Sequence, residues 1–429
     1  MEIRSIWLLD TDPPLELLNS NFECDVAIIG GGVSGISAAY HLSKLGLRVG
    51  VFEKDNLSTG STGYSGGFLA ASTTYDLTSL CEKWGEANAK RIYDSIRSAI
   101  ESIEEVINYN KIDCDFRRSG AFYVAAQHSH SDYIKKEWGI LNKLGYEAKL
   151  YNSQDPEIPV AKNFGALKTF SDCAFNPVSF VYGLRKIITE MGGSIFTGTR
   201  INYLKEKGDH LILRDEAGNT IKSKFVILAT NGFSLSSYPR PEAVQQTSHI
   251  MVTKPIEGIR GKWSGELIWD TFMIYNYLRL LDDDRILIGG EDTWFGRKQG
   301  YSKEIEDRNA KLLTKLKQYF PEFKIETDFG WTGQLSYPID GLPIVRTENR
   351  VTHIITDGIP FGWLTGQIAA GRITKKLSSV DDLYDFGRNF GFFKNLVIKS
   401  RLPNFIKSLG IKLGIALVHS LNTVDENFE

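Results

Sequence analysis

The chain has 429 residues, more than one hydrophobic core usually serves, so one large domain or two intertwined domains are expected. Its 50 basic and 52 acidic residues nearly cancel, which argues against a nucleic-acid partner. Four cysteines, Cys24, Cys81, Cys114 and Cys173, stand far apart without CxxC or paired-histidine spacing; that excludes a metal or iron-sulfur signature and fits buried thiols in a reducing compartment.

Glu2, Arg4, Asp10 and Asp12 surround Ile6 to Leu9, the wrong pattern for a secretory signal, and no run of about twenty apolar residues follows. A cytoplasmic protein that does not span a membrane is expected. The first regular unit begins with the apolar run Val26 to Ile29, read as a buried parallel strand, and turns through Gly30-Gly31-Gly32-Val33-Ser34-Gly35. Ile36, Ala39, Tyr40 and Leu42 then keep helical spacing, and a second strand, Val49 to Phe52, ends on Glu53 and Lys54. Gly30 permits the turn, Gly32 lets backbone approach a pyrophosphate, and Gly35 lets helix and strand pack closely. Phosphates would lie at the positive helix N-terminus beside Val33 and Ser34, and Glu53 would accept hydrogen bonds from a ribose diol. This unit predicts a dinucleotide site.

The loop from Ser58 to Gly67, containing Ser61, Thr62, Gly63, Tyr64, Gly66 and Gly67 and followed by Phe68, is too rich in glycine and hydroxyls for an ordinary connector and reads as a second contact with a flat ligand. From Leu77 to Asn110 the apolar spacing predicts one long helix. Phe122 to Ala125 reads as a strand, Asp132 to Leu144 as a helix, and Phe180 to Met191 as another after the break at Asn176-Pro177. Leu211 to Leu213 and Thr220 to Lys222 predict a hairpin, and the strand Phe225 to Leu228 runs into Ala229-Thr230-Asn231-Gly232, a second backbone approach to the same ligand. Residues 244 to 295 alternate apolar and polar side chains, as strands of an antiparallel sheet do. A helix is predicted over about 304 to 319; Gly330 to Gly333 and Gly358 to Trp363 read as loops, and Thr365 to Leu377 as a last helix.

Together these landmarks resemble the FAD-dependent amine and amino-acid oxidoreductases of the D-amino-acid oxidase, glycine oxidase and sarcosine oxidase type, over about residues 22 to 378. The likeness lies in their order: the glycine motif, the Ser61 to Gly67 loop, Asn176-Pro177, Ala229 to Gly232, Trp331 to Pro343 and Gly358 to Gly371. It is greatest to the putrescine-type amine branch, through Trp7-Leu8-Leu9-Asp10 and through Arg285 to Asp292 with the turn that follows. The family implies a Rossmann-like FAD-binding domain assembled from 22–76, 150–238 and 326–380. Interleaved with it would be an antiparallel-sheet substrate domain from 77–149 and 239–325. It also implies that Gly333 and Gly358, Phe361, Gly362 and Trp363 face the flavin, and that the backbone of Ile201 holds the adenine. Tyr64 stands where some members tether the flavin through histidine, and no cysteine follows Cys173, so FAD is expected to be non-covalent.

Members acting on small amino acids hold the carboxylate with an arginine or lysine where this chain has Leu335 and Leu364. That favours an amine substrate, or one whose carboxylate meets Arg118 or Arg279. The resemblance implies hydride transfer to flavin N5 from the carbon bearing a neutral amine, and then hydrolysis of the imine. Tyr275, Tyr277, Trp331, Phe361 and Trp363 are candidates for an aromatic amine cage; His249 is either a proton acceptor or a structural histidine. Oxygen, a quinone or another protein would reoxidise the flavin; Lys262 is a loosely placed candidate for the lysine that oxidases keep over N5. Two rival readings are an amino-acid or imino-acid (proline-like) dehydrogenase and a non-catalytic flavoprotein subunit. The tail, 381–429, has six basic and no acidic residues from Phe386 to Val424 and reads as a basic amphipathic helical segment; it would lie on the inner membrane face or dock on the body or on another subunit.

Overall fold

The computed structural model describes residues 5–9, 13–71, 76–232, 243–272, 275–294, 302–338 and 341–385. The tail beyond residue 385, and the turn expected after Trp294, lie outside the described residues. In chain order the elements are β1 (Phe22–Ile29), α1 (Val33–Lys44), β2 (Val49–Phe52), β3 (Phe68–Leu69), α2 (Leu77–Trp84), α3 (Glu86–Asn110), β4 (Arg117–Arg118), β5 (Ala121–Val124), α4 (Ser131–Lys143), β6 (Ala148–Tyr151), β7 (Ala166–Thr169), β8 (Cys173–Ala174) and α5 (Pro177–Glu190). Then come β9 (Ser194–Phe196), β10 (Ile201–Lys207), β11 (His210–Asp215), β12 (Thr220–Leu228), β13 (Ala243–Thr253), β14 (Leu267–Asp270), β15 (Tyr277–Leu280), β16 (Ile286–Trp294), α6 (Ser302–Tyr319), β17 (Thr327–Pro338), β18 (Ile344–Glu348), β19 (Val351–Ile355), α7 (Ile359–Thr374) and α8 (Asp381–Tyr384).

Among the described residues two large sheets carry the fold. In the first, β9, β2, β1, β12 and β19 run parallel, with the β10–β11 hairpin at one edge and β18 antiparallel to β19. Val26, Ala27 and Ile28 are completely buried, as strands covered on both faces require. Helices α1, α5 and α7 pack together on this sheet. Glycines let α1 and α7 approach: a Cβ on Gly366 would come within 2.5 Å of the Ser34 carbonyl oxygen.

The second sheet has the order β17-β13-β16-β15-β14-β5-β7-β6. It is antiparallel as predicted except where β14 runs parallel to β5, a pairing between strands more than a hundred residues apart that no local pattern encodes. Strands β6 and β7 and the whole of β17 belong to this sheet. The expected segments beginning at 150 and 326 therefore include strands of the other sheet.

Three local readings are corrected. The helix expected from Leu77 to Asn110 is two helices, broken at Gly85 by its positive φ of 75°, which ends α2 as glycine does. The predicted strand Phe225 to Leu228 is continuous with the hairpin strand, as β12. Residues 359–363, part of the loop expected from Gly358 to Trp363, form the first turn of α7, whose N-cap is Gly358 and whose early Pro360 sits where the missing N–H costs nothing. At the far end α8 is acidic and is tied back to the body by Arg91 on Asp382 and by Arg372 on Asp381 and Asp385.

Candidate functional site

A cavity of about 820 Å³ runs between the two sheets, near the upper end of the usual range for ligand sites. Its floor on the first sheet is the turn from β1 into α1. Gly30 holds a φ of +110°, and a Cβ there would meet the Ala229 carbonyl oxygen at 2.6 Å. Gly30, Gly32, Val33 and Ser34 line the cavity. Gly35 does not: a Cβ on it would lie 2.0 Å from the Gly30 carbonyl oxygen, so its place is the helix–strand contact expected of it. No side chain caps α1 at Gly32, and the Val33 N–H donates to Thr62 Oγ1 at 3.1 Å. Glu53 ends β2 with Oε2 accepting from Gly31 N–H at 2.7 Å and Oε1 from Asp55 N–H at 3.0 Å. Those bonds fix the carboxylate at the cavity wall beside Lys54 and near Ile201.

The loop after β2 is held from outside by its carbonyls. The Ser5 hydroxyl donates to Gly63 O, Trp7 Nε1 to Ser65 O at 2.7 Å, and Trp331 Nε1 to Tyr64 O at 3.2 Å. Arg279 Nη1 donates to Gly67 O at 3.1 Å and Phe175 O at 2.6 Å. Ser61, Thr62, Tyr64, Gly66 and Phe68 therefore face the cavity, while Gly63 and Gly67 serve the turn. Arg279 is 1 % exposed and stacks on Trp7; burial lowers its pKa to about 9.

On the far side of the floor, Ala229 and Thr230 line the cavity, whereas Gly232 donates its N–H to Ser336 Oγ at 3.0 Å outside it. Asn231, in the left-handed region at φ 54°, accepts from Thr356 N–H at 3.1 Å. That bond ties the β12 turn to the residues before α7, and Gly358 opens the helix at the cavity edge.

The second sheet supplies the remaining wall: Ser248, Ile250, Trp269, Tyr275, Tyr277, Asp292, Gly333 and Leu335. The Tyr275 and Tyr277 rings lie 6.0 Å apart, and the Tyr277 hydroxyl is 3.1 Å from Ser248 Oγ. Gln246 Nε2 donates to Asp292 Oδ2 at 2.7 Å. Burial pushes the Asp292 carboxyl up to about 7; the nearby Ser248 hydroxyl opposes this and the negative Asp357 adds to it.

Four expected cage and acid-base residues lie elsewhere. Trp331 is fully buried in β17. Phe361 packs edge-on to Tyr384. Trp363 packs among Tyr40, His41 and Phe180 and donates Nε1 to Ser102 Oγ at 3.2 Å. All three belong to the core because α7 begins earlier than predicted, or because alternation along β17 turns the ring inward. His249 is 2 % exposed, off the cavity, and burial lowers its pKa to about 4; it is neutral at physiological pH, and neither ring nitrogen has a hydrogen-bond partner among the described residues. Gly362 packs against Val33, where a Cβ would come within 2.4 Å. Arg118 pairs with Glu104 at the surface and Lys262 is exposed away from the cavity. Thr199, Arg200, Asn202, Thr356, Asp357, Ser248, Trp269 and Asp292 line the cavity without having been predicted. Only Asp292 carried a sequence signal, the Gly289-Gly290 pair that interrupts an alternating strand just before it.

Residues 25–372 match the family described as FAD dependent oxidoreductase. The chain belongs to that family. Its cofactor is FAD, and it is an oxidoreductase. Gamma-glutamylputrescine oxidoreductase of Escherichia coli (strain K12) is 25 % identical over 394 residues, covering 89 % of each chain. The crystal structure of glycine oxidase from Geobacillus kaustophilus superposes with a TM-score of 0.74 at 19 % identity, covering 86 % of this chain and 100 % of that one. L-proline dehydrogenase from P.horikoshii gives 0.70 at 18 %, over 85 % of this chain and 97 % of the other. The lining suits this family's cofactor: a glycine floor at an uncapped helix N-terminus, a fixed carboxylate at one end and a second helix start at the other, joined by one continuous cavity. Among the described residues no helix is long and apolar enough to cross a membrane.

Proposed function

We propose that the chain oxidises a C–N bond of a small amine, with FAD held non-covalently. The observation that carries this is the composition of the second-sheet wall. It holds aromatic and aliphatic side chains and one carboxyl, Asp292, and among the described residues no lysine or arginine. The cations of the lining, Lys54 and Arg200, stand at the other end beside Glu53 and Ile201. A substrate carboxylate at the second-sheet wall would be buried beside Asp292 without a counter-ion, which is costly; an ammonium group meets favourable charge and aromatic faces.

FAD would supply the acceptor for the hydride that leaves the carbon bearing the amine once the bound ammonium has given up a proton and its nitrogen lone pair can form the imine. The protein's part is placement. The Gly30 to Ser34 turn would seat the pyrophosphate, Glu53 the ribose, and the Thr199 to Ile201 segment the adenine. Tyr64 to Gly66 on one side and Gly358 on the other would flank the flavin ring. Tyr275, Tyr277 and Trp269 would orient the amine and keep water from it. Tyr64 and the absence of any cysteine from the described lining support a flavin without a covalent tether. Anaerobic bleaching of the flavin band across amines and amino acids tests the reading: primary amines should bleach it and amino acids should not. Bleaching by proline-like amino acids alone would overturn it. Admission of air then separates an oxidase from a dehydrogenase, and denaturation should release all the yellow colour.

A further inference from the structure

The strand β16 breaks its register where the cavity wall needs it. In its pairing with β13, Thr247 faces Thr293 and His249 faces Gly290, so two residues, Glu291 and Asp292, stand opposite the single Ser248. This is a β-bulge, a device that re-aims side chains. Its backbone signs are Gly290 at φ 145° and Glu291 at φ 50°. The consequence is that two successive acids meet different surroundings. Glu291 meets helix α6, where Arg308 pairs with it at 2.8 Å and Lys311 at 3.4 Å. Asp292 lines the cavity. Its only donors are neutral, the Gln246 amide on Oδ2 and the nearby Ser248 hydroxyl, and Oδ1 is buried with no hydrogen-bond partner among the described residues.

We propose that Asp292 binds the ammonium group of the substrate, and that the bulge exists to present this carboxylate to the cavity. The proposal rests on the amine reading above and names the residue that would select for it. A half-buried carboxyl without a cation is unfavourable, while its neighbour one residue away takes two cations from α6. An occupant of the cavity bringing positive charge completes Asp292 as Arg308 and Lys311 complete Glu291. Tyr275 and Tyr277 present their rings to the same space, and ring faces attract an organic cation as well. Other charged groups acting on Asp292 are Asp357 before α7 and the adjacent Glu291, which repel its ionised form, and Arg308 behind the bulge, which favours it. Ser248 and Gln246 on β13 contribute only neutral dipoles.

The test is equilibrium binding to the FAD-loaded enzyme of butyltrimethylammonium, which has no nitrogen lone pair and cannot become an imine, with butan-1-ol as the neutral comparison. At pH 8 the enzyme should prefer the cation by about tenfold or more, the order of a charge-assisted contact. Asp292→Asn should abolish that preference, and Glu291→Gln, on the α6 side, should keep it. An Asp292→Asn protein that retains FAD and still binds the cation within about twofold of the parent overturns the proposal. The unmodified enzyme gives a second reading that does not depend on the variant folding. Its affinity for the cation should fall as the pH drops from 8 to 6 and Asp292 takes up a proton, while affinity for the alcohol stays constant. A flat cation profile overturns the proposal too. If amines fail to bleach the flavin but cation binding still follows Asp292, amine oxidation is wrong and the anchor stands. If amines bleach it and cation binding ignores Asp292, the anchor alone is wrong.

Discussion

The two ends of the cavity are built on opposite principles. At the first-sheet end the ligand surface is backbone: the Gly30 to Ser34 turn, the Ala229-Thr230 turn and a loop whose carbonyls are pinned by Ser5, Trp7, Trp331 and Arg279. Its acid at the end of β2, Glu53, is already tied to Gly31 and Asp55. At the second-sheet end the surface is side chain, contributed largely by β13, β14, β15, β16 and β17, and its acid has only neutral donors and an oxygen with no partner among the described residues. The difference teaches that the end proposed for FAD has its polar groups already partnered, whereas the end proposed for the substrate carries an acid that calls for an occupant.

The largest effect should come from breaking the first-sheet end. Gly35→Leu places a side chain on the Gly30 carbonyl and should cost about 4 kcal/mol or more, read as a drop in melting temperature of roughly 8 °C or failure to fold. Glu53→Gln should raise the dissociation constant for FAD about tenfold and leave the melting temperature of the FAD-free protein close to the parent's; unchanged FAD retention would remove Glu53 from the ribose. Trp363→Phe separates core from cage: it should lower stability by about 1–2 kcal/mol and leave the KM for amine unchanged, because Trp363 lies among Tyr40, His41 and Phe180.

The smallest effect sharpens the comparison most. The carboxyl of Asp292 titrates near 7 in the folded chain and near 3.9 in an unfolded one. Between these values the folded state binds the extra proton, so stability falls as pH rises through this window and the full penalty persists above it. Asp292→Asn should therefore raise the melting temperature at pH 8, by roughly 2 °C because the buried Asn amide N–H groups offset most of the relief, and should give little or no gain at pH 4. Glu53→Gln, at the end where the carboxylate already has its donors, should show no such gain.

The turn that lines the first-sheet end of the cavity was legible because its instructions are local. Gly30, Gly32 and Gly35 stand at fixed spacing between a strand and a helix, and one turn of chain sets their roles. The early start of α7 was missed because Gly358-Ile359-Pro360 was read as a loop, although glycine at the cap and proline in the first turn are a helix-start pattern. That single boundary moved Phe361 and Trp363 from the expected cage into the core. For Trp331, the periodicity gave a buried face but not which of two buried faces.

By itself the sequence determined a glycine-turn dinucleotide unit, its acid at Glu53, the family and a mixed α/β architecture, since each is written in short-range spacing or in an ordered series of motifs. Only the tertiary structure decided the substrate wall. Ser248, Trp269, Tyr277, Asp292 and Leu335 come from five strands whose order in the sheet, β17-β13-β16-β15-β14, is not their order in the chain, and Tyr275 stands just ahead of β15. Which of two neighbouring acids faces helix α6 and which faces the cavity depends on a one-residue bulge, because side chains alternate along a strand and a single inserted residue reassigns every face beyond it.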